Sequence, residues 1–578
     1  MIFMKKLTTR LLSLVLLGAF IPSFVLADTW YLDKGDITVN ATGTIQTVTQ
    51  GAAPVEDPNP VITSNGKTEN TVTINAEANA TAKVTLENVN IDVSSKSEAA
   101  ITTQGQGDVT LNLSGNNSVQ SGEYHAGVHK GNAGNLTVTT PEGGTGSLNA
   151  TGGKGGAGIG GDIDGGKGNN ITISGGTIVA RGGEHSAGIG GGGNGSAKDA
   201  SNITVSGGNV TAYGSGYAAG IGGGNSGSGA DIEITGGQVT ATGGDQGAGI
   251  GGGKGGNGSD ITVSNGTVNA TGGNYAAGIG GGISGDGSGI TVSGGNVTAN
   301  GGYRGAGIGG GSGGNGGNGI TISDGEVTAQ GGEYGAGIGG GYEGSGKGIT
   351  IEGGEVTARG DLGGAGIGGG IGGTGSDVTI SGDAQVKVQG GRAEIQGGTT
   401  GRDWHKGAAI GNGGTPTTDG NEVSPNTSDL KVGGFIQIYE PGKNINTDTP
   451  DKTIEGQKGD HSWNAGEVTA ETVPESKAAA YWVSDSEGQS IPYQAQQKDG
   501  VLTVTVQADT ASLRGTTGSL GQLEAQGIAE IRFVTNGAQS AFTLSDLLTS
   551  GTGSVTLTHD GDKITFTLEN TDISGILK

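Results

Sequence analysis

The sequence predicts an all-β chain. Its main part reads as a right-handed parallel β-helix, three short strands to each coil of about 29 residues, followed by a small separate β-rich domain. Three observations predict it. The pattern Ala-Gly-Ile-Gly-Gly recurs around Ile159, Ile189, Ile221, Ile250, Ile279, Ile308, Ile338 and Ile367, at separations of 30, 32, 29, 29, 29, 30 and 29 residues. Between these landmarks, apolar residues alternate with Thr and Ser, as in Ile261-Thr262-Val263-Ser264; alternation of period two is a strand signature. Glycine makes up 132 of 578 residues and apolar residues only 31%, too few for one large globular core. Glycine does not fall at every third position, which excludes collagen.

Residues 1–27 read as a signal peptide. Lys5, Lys6 and Arg10 precede an apolar run from Leu11 to Val25, and Val25-Leu26-Ala27 offers the small-residue cleavage pattern. The expectation is export with cleavage near Ala27, to the extracellular space or cell surface and without a membrane span. Residues 28–100 are rich in Thr and Val, for example Thr71-Val72-Thr73-Ile74, and read as an N-terminal cap and first irregular coils.

Residues 101–414 carry the glycine-rich coils, around eleven of them once the degenerate landmarks at Ile101, Val128 and Ile410 are counted. Each coil holds one segment like Ile261–Ser264, one like Val239-Thr240-Ala241-Thr242, and the landmark itself. Strands this short need partners above and below, about 4.8 Å away. Stacking then places Ile203, Ile232, Ile261, Ile290, Ile320 and Ile349 in one interior column and Val210, Val239, Val268, Val297, Val327 and Val356 in another. Glycine pairs such as Gly207-Gly208 sit where the chain turns a corner. A bundle of polyproline II helices is the rival architecture; the strict alternation speaks against it. Residues 415–475, holding five of the eleven prolines, read as a linker, and residues 476–578 as the C-terminal domain. Val501–Val506, Ile531–Val534 and Ile564–Leu568 are its ordinary strands, with a helical turn at Ser545–Leu548.

Charge and composition narrow the function classes. The formal charge is −25, and removing Lys5, Lys6 and Arg10 with the leader leaves −28. Such a surface repels nucleic-acid phosphates, so no nucleic-acid partner is expected. With no cysteine in the chain, disulfides and thiolate metal sites are excluded. Enzymes on this scaffold need clustered carboxylates, and no adjacent Asp-Asp pair occurs. A non-enzymatic protein is expected.

Asp162 and Asp164 are the nearest approach to a paired acidic site, and calcium is the one cofactor considered, at these two residues. His125 and His129 flank Val128 without a third metal ligand in view. Asp260 and Asp377 close runs that resemble the start of a calcium-binding nonapeptide repeat, but the large apolar residue follows the Asp directly. Asp231, Asp260 and Asp377 are therefore read as turn residues.

A better candidate stands four residues before the landmark isoleucine. Down the coils it holds Tyr124, His185, Tyr217, Gln246, Tyr275, Arg304 and Tyr334, with Tyr303 beside Arg304 and acids at Glu123, Glu184, Asp245 and Glu333. One such residue per coil lines up along one edge of the solenoid. Aromatic faces stack on sugar rings while polar neighbours fix the hydroxyls; tyrosine also supplies buried area at a corner that glycine leaves bare. Tyr124, His185, Tyr217, Tyr275, Tyr303, Arg304 and Tyr334 are the candidate carbohydrate-binding residues. Outward threonines at Thr172, Thr204, Thr262, Thr291, Thr321, Thr350 and Thr379 form a second regular array, which raises ice binding as a distinct alternative. Glu233 and Glu352 interrupt it. Arg359-Gly360-Asp361 spells an integrin-recognition tripeptide on a turn, and is read as chance.

The order strand, Gly-Gly turn, strand, Gly-Ile closure, as in Ile171-Thr172-Ile173-Ser174-Gly175-Gly176-Thr177-Ile178, resembles bacterial secreted carbohydrate-binding parallel β-helix proteins, the glycine-rich repeat surface proteins. Val84–Ile91 and Ala99-Ala100-Ile101 look like that family's first coils, and the resemblance covers roughly residues 70–400. It implies acidic plant polysaccharides such as pectin as ligands, with calcium held by Asp-rich turns. This chain departs from the pattern, carrying Gly at most of those turns. The function expected is an adhesin-like surface or extracellular protein, a monomer, that binds a polysaccharide or a host or cell-surface glycan. The alternative is a spacer or matrix protein that displays the C-terminal domain.

Overall fold

The computed structural model describes residues 28–163, 168–193, 198–392, 406–414, 430–455 and 481–578, apart from residues 433, 442, 487–490, 492, 499, 526, 552, 562 and 569–570. The expected signal peptide, residues 1–27, and Asp164 lie outside the described residues. Among the described residues, no helix is long and apolar enough to cross a membrane.

One coil shows how the sequence builds the rest. Gly229–Ile234 forms the first strand, with Ile232 and Ile234 buried and Glu233 exposed between them. Gly236-Gly237 turns the corner, Gly237 in the left-handed region at φ 83°. Gln238–Thr242 is the second strand, turned so that Val239 and Ala241 face inward. A glycine-rich turn leads to the third strand, Ile250–Gly251, which is two residues long. Each strand pairs in parallel with its counterparts one coil away, in register: Ile203 with Ile232 and Ile232 with Ile261, Val210 with Val239 and Val239 with Val268, Ile221 with Ile250 and Ile250 with Ile279. The aliphatic columns expected from the repeat are therefore present, in one continuous core that runs from Leu32 to Ile436.

The third strand depends on the absence of a side chain. At Gly222, Gly251, Gly280, Gly309, Gly339 and Gly368 the backbone has φ between 131° and 134°, and a β-carbon would lie 1.9–2.1 Å from the carbonyl oxygen of the equivalent glycine one coil on. Coils can stack at strand spacing here only if that position is glycine.

Both ends are closed by strands that reverse direction. Ile37–Thr42 stacks in parallel on Val72–Ala76, which stacks on Ile101–Gly105. On its free side Ile37–Thr42 pairs antiparallel with Ile45–Thr49, which pairs antiparallel with Val55–Glu56. The cap expected in residues 28–100 is this three-stranded meander, and it covers what would be an open edge. At the other end the structure differs from the sequence expectation. Residues 430–455, inside the stretch read as a linker, add a further coil. Leu430–Val432 and Phe435–Tyr439 extend the two long-strand columns, and Lys452–Glu455 pairs antiparallel with Phe435–Tyr439 to close the second. Ile436 and Ile438 keep the alternation but come without a glycine landmark, so the repeat pattern did not reveal them.

A charged side chain is buried within the stack. In Val128–Lys130 alternation sends Val128 and Lys130 inward, and Lys130 is 3% exposed. Its ammonium donates to the Asn132 carbonyl, while the Asn132 side-chain oxygen accepts from Thr103. Burial pushes the Lys130 pKa down to about 8. Below that pH the folded chain carries the full cost of burying the charge. As pH rises from about 8 toward 10.5, the unfolded chain still holds a proton that the folded chain has released, so the cost fades and stability rises. Lys130→Met is expected to stabilise the solenoid by about 1–3 kcal/mol at pH 7. The gain should shrink toward zero at pH 10.5, as read from denaturation midpoints at the two pH values.

The chain divides into two compact units, the second spanning Thr469–Lys578. Among its described residues, one antiparallel sheet comprises Tyr481–Ser484, Thr510–Thr516, Ser554–Asp560, Lys563–Leu568 and Thr571–Asp572. A second, mixed sheet comprises Tyr493–Lys498, Val501–Val506, Glu530–Val534 and Gln539–Thr543, its middle two strands parallel. Leu513, Phe533, Phe542, Leu557 and Phe566 lie in its own core. The helical turn expected at Ser545–Leu548 is the helix Leu544–Thr549, N-capped by the Thr543 hydroxyl, which accepts from the Asp546 N–H. The helix Thr517–Ala525 was not anticipated, its pattern being obscured by Gly518 and Gly521. His559 is fully buried against Phe533 and hydrogen-bonded to Thr535 at 3.1 Å and Ser540 at 2.7 Å. Burial pushes its pKa down.

Candidate functional site

The turns on either side of the two-residue strand are laced together from coil to coil. The carbonyl of the residue four before each landmark isoleucine accepts from the N–H of the residue four after the next landmark. Lys254 donates to Tyr217 at 2.7 Å, Ser312 to Tyr275 at 2.8 Å, Tyr342 to Arg304 at 2.8 Å and Ile371 to Tyr334 at 2.9 Å. These bonds set two columns side by side along one edge. The first is the column the sequence singles out. The second, holding Asn225, Lys254, Ile283, Tyr342 and Ile371, was missed. The signal that could have found it is the same register logic applied on the far side of the landmark.

Side chains on this edge form two groups. In the first, the His185 and Tyr217 rings stack at 4.5 Å and 8° apart in tilt, and the Lys254 ammonium lies 4.6 Å from the Tyr217 ring centre. Glu184 reaches His185 at 3.4 Å and Lys154 at 3.3 Å. In the second, four tyrosines surround one guanidinium. Arg304 lies 5.9, 5.5, 6.0 and 4.5 Å from the ring centres of Tyr275, Tyr303, Tyr334 and Tyr342. The rings meet edge to face, Tyr275 with Tyr303 at 6.4 Å, Tyr303 with Tyr334 at 5.5 Å and Tyr334 with Tyr342 at 5.9 Å. Edge-to-face contact and cations over ring faces each contribute about 0.5–1.5 kcal/mol, so the group is held in place before any ligand arrives. Tyr303 is 40% exposed and the others are half-buried. The Arg304 Nε is buried without a hydrogen-bond partner.

Of the candidate residues, Tyr275, Tyr303, Arg304 and Tyr334 thus come together, and His185 pairs with Tyr217. Tyr124 stands apart. Gly155 occupies the edge position in the coil between it and His185, and Tyr124 is 44% exposed on left-handed backbone at φ 75°.

Asp162 is not on a solvated loop. It is 6% exposed, and its Oδ2 lies 2.7 Å from His125 Nδ1 and 3.3 Å from His129 Nδ1, while Oδ1 accepts from the Ala126 N–H at 2.6 Å. Calcium prefers six to eight oxygen ligands; here the carboxylate is already engaged by two imidazoles and a peptide N–H. Burial pushes the His129 pKa down against the pull of Asp162. Among the described residues, no group of three or more His, Cys, Asp or Glu is arranged to hold a metal.

Asp231, Asp260 and Asp377 have left-handed backbone at φ 50°, 53° and 52°, and Asn202 and Gly289 take the same place in neighbouring coils. Asn, Asp and Gly are the residues that tolerate this conformation; contrary to the turn reading, Asp231, Asp260 and Asp377 stand inside the strands Gly229–Ile234, Gly258–Val263 and Gly375–Ile380, as residues that the ladder skips between its paired neighbours. Arg359 ends the strand Glu355–Arg359 with its Nε buried and unpartnered, and Asp361 accepts from the Leu362 N–H. The outward threonines stack in register, with Glu233 between Thr204 and Thr262 as read from the sequence.

No curated protein and no solved structure matches the chain. Seven segments, residues 171–193, 203–225, 232–254, 261–283, 290–312, 320–342 and 349–373, match the family model described as Beta helix repeat. The edge groups from His185 to Tyr342 fall within the matched segments, and the central coils are similar in sequence to the repeat from which parallel β-solenoids are built.

Proposed function

We propose that this chain is an exported, non-enzymatic, adhesin-like protein that binds a polysaccharide along the edge marked by Tyr217, Tyr275, Tyr303, Arg304 and Tyr334. One observation carries the reading. Between residues 150 and 390 the aromatic residues are six tyrosines, and five of them stand on this edge. Four of those five surround Arg304, with faces and hydroxyls partly open to solvent. Sugars are recognised by such a combination of apolar faces and fixed polar groups. The groups gathered here bind and orient. Glycoside hydrolysis uses two carboxyl groups set across the bond, and Glu184 is ion-paired with Lys154 and lies 3.4 Å from His185.

The test is a glycan array with the wild type and the triple variant Tyr217→Ala, Tyr275→Ala, Tyr334→Ala. The variant is expected to bind about 100-fold more weakly, roughly 1 kcal/mol for each ring removed, with an unchanged circular-dichroism spectrum. A wild type that binds no glycan would favour the second reading, a spacer that displays the C-terminal unit. That reading is supported by the separate core of residues 481–578.

A further inference from the structure

We infer that removal of residues 1–27 completes the N-terminal cap: cutting the Ala27–Asp28 bond sets a new α-ammonium against the buried Asp57 carboxylate, and the cap tightens only once the leader is gone. This rests on the export reading above and gives it a structural consequence.

Asp57 is fully buried. Its Oδ2 accepts from the Trp30 indole N–H at 2.9 Å and from the Asp28 N–H at 3.2 Å, and its Oδ1 accepts from the Asn59 N–H at 3.1 Å. The residue also holds parts of the cap together. Its own N–H donates to the Gln46 carbonyl, and its carbonyl accepts from Gln46 Nε2. The same Gln46 side chain reaches on to the backbone N–H and carbonyl of Lys83. Among the described residues, no lysine or arginine is paired with Asp57. A buried carboxylate served only by neutral donors is costly, because nothing offsets the loss of water around its charge.

The leader decides which kind of donor Asp28 supplies. In the uncut chain its nitrogen is a neutral peptide N–H. Hydrolysis by signal peptidase adds water across the bond: the hydroxyl goes to the Ala27 carbonyl carbon and the hydrogen to the Asp28 nitrogen. At neutral pH the new amine then takes up a proton and the new carboxyl gives one up. The atom 3.2 Å from Asp57 thereby becomes a cation, and a charge-assisted bond is roughly twice as strong as a neutral one. The backbone holds that nitrogen in place. The Asp28 carbonyl accepts from the Val61 N–H at 3.0 Å, and Thr29–Tyr31 pairs in parallel with Val61–Thr63. A cut one residue earlier would leave the terminus about 3.8 Å along the chain; a cut one residue later would remove the donor. The Val25-Leu26-Ala27 pattern points to the same bond.

The test is hydrogen exchange read by mass spectrometry over residues 28–63. Three chains are compared: one beginning at a free Asp28, the same chain acetylated on its α-nitrogen, and one that retains Val25-Leu26-Ala27. Exchange is expected to be at least about 10-fold slower in the first than in the other two, with no difference in the C-terminal unit. Asp57→Asn should erase the difference between the three. Equal exchange in the free and acetylated chains, a comparison that needs no substitution, would overturn the inference; so would a difference that survives in Asp57→Asn. Expressed with its leader in a secreting bacterium, the exported chain should have the mass of one that begins at Asp28. An exported chain that begins elsewhere overturns the inference and leaves export standing. A chain retained in the cell with residues 1–27 attached means that the export reading itself fails, and this inference with it.

Discussion

Gly280→Ala is expected to destabilise the solenoid by about 3–5 kcal/mol, although it adds a single methyl group. The new β-carbon would stand 2.0 Å from the carbonyl oxygen of Gly309, a backbone atom fixed by the coil above. Gly280 has φ 133°, so alanine is also strained in its own backbone. Relief requires the coils to part, and parting them breaks the pairing of Ile279 with Ile308 and of Gly280 with Gly309. Gly255→Ala is the control. It too has a positive φ, 68°, but a β-carbon there meets nothing within 4 Å, so only the conformational cost of about 1–2 kcal/mol is expected. Denaturant midpoints of the two variants measure the difference. Equal losses would mean that the coils do not approach as closely as this account requires.

Ile308→Ala is expected to cost about 4 kcal/mol, in the upper part of the range for such truncations. The side chain is fully buried and stacks between Ile279 and Ile338 in the third-strand column. The size of the loss follows from what surrounds it. Ala306, Gly307 and Gly309 flank it in its own turn, and none of them can swing into the space left behind. A cavity that cannot collapse keeps its full cost. Ile308→Val should lose only about 1 kcal/mol. Thr298→Ala, on an outward position of the neighbouring strand, should change stability by no more than about 0.5 kcal/mol.

Much of the fold was legible because its physics is repetitive. Ile261-Thr262-Val263 declares one face in and one face out, and a spacing of 29 or 30 residues declares which residues meet in the next coil. What escaped is what breaks the repeat. The coil at residues 430–455 has the alternation of Phe435-Ile436-Gln437-Ile438 but no landmark to align it. Lys130 was passed over because a lysine reads as a surface residue; the alternation that buries Val128 also buries Lys130.

The edge was half legible. Its first column follows from counting back from the landmark. Tyr342 and Lys254 lie on the other side of it and join the site only because two turns cross between coils. The tie of Asp162 to His125 and His129 was not legible, because the two histidines belong to the preceding coil, more than 30 residues earlier in the chain.

All of this depends on residues one repeat apart standing one strand spacing apart, and the absence of native cysteine allows a clean measurement. One spin label is placed at Thr172 and a second, in turn, at Thr321, Thr350 or Thr379. These positions lie five, six and seven coils along the same outward column. Electron-electron double resonance is predicted to give narrow distance distributions centred near about 24, 29 and 34 Å, a fixed step for each added coil. Broad distributions, or distances that do not lengthen by that step, would contradict the stacked solenoid, and the shared edge would be lost with it.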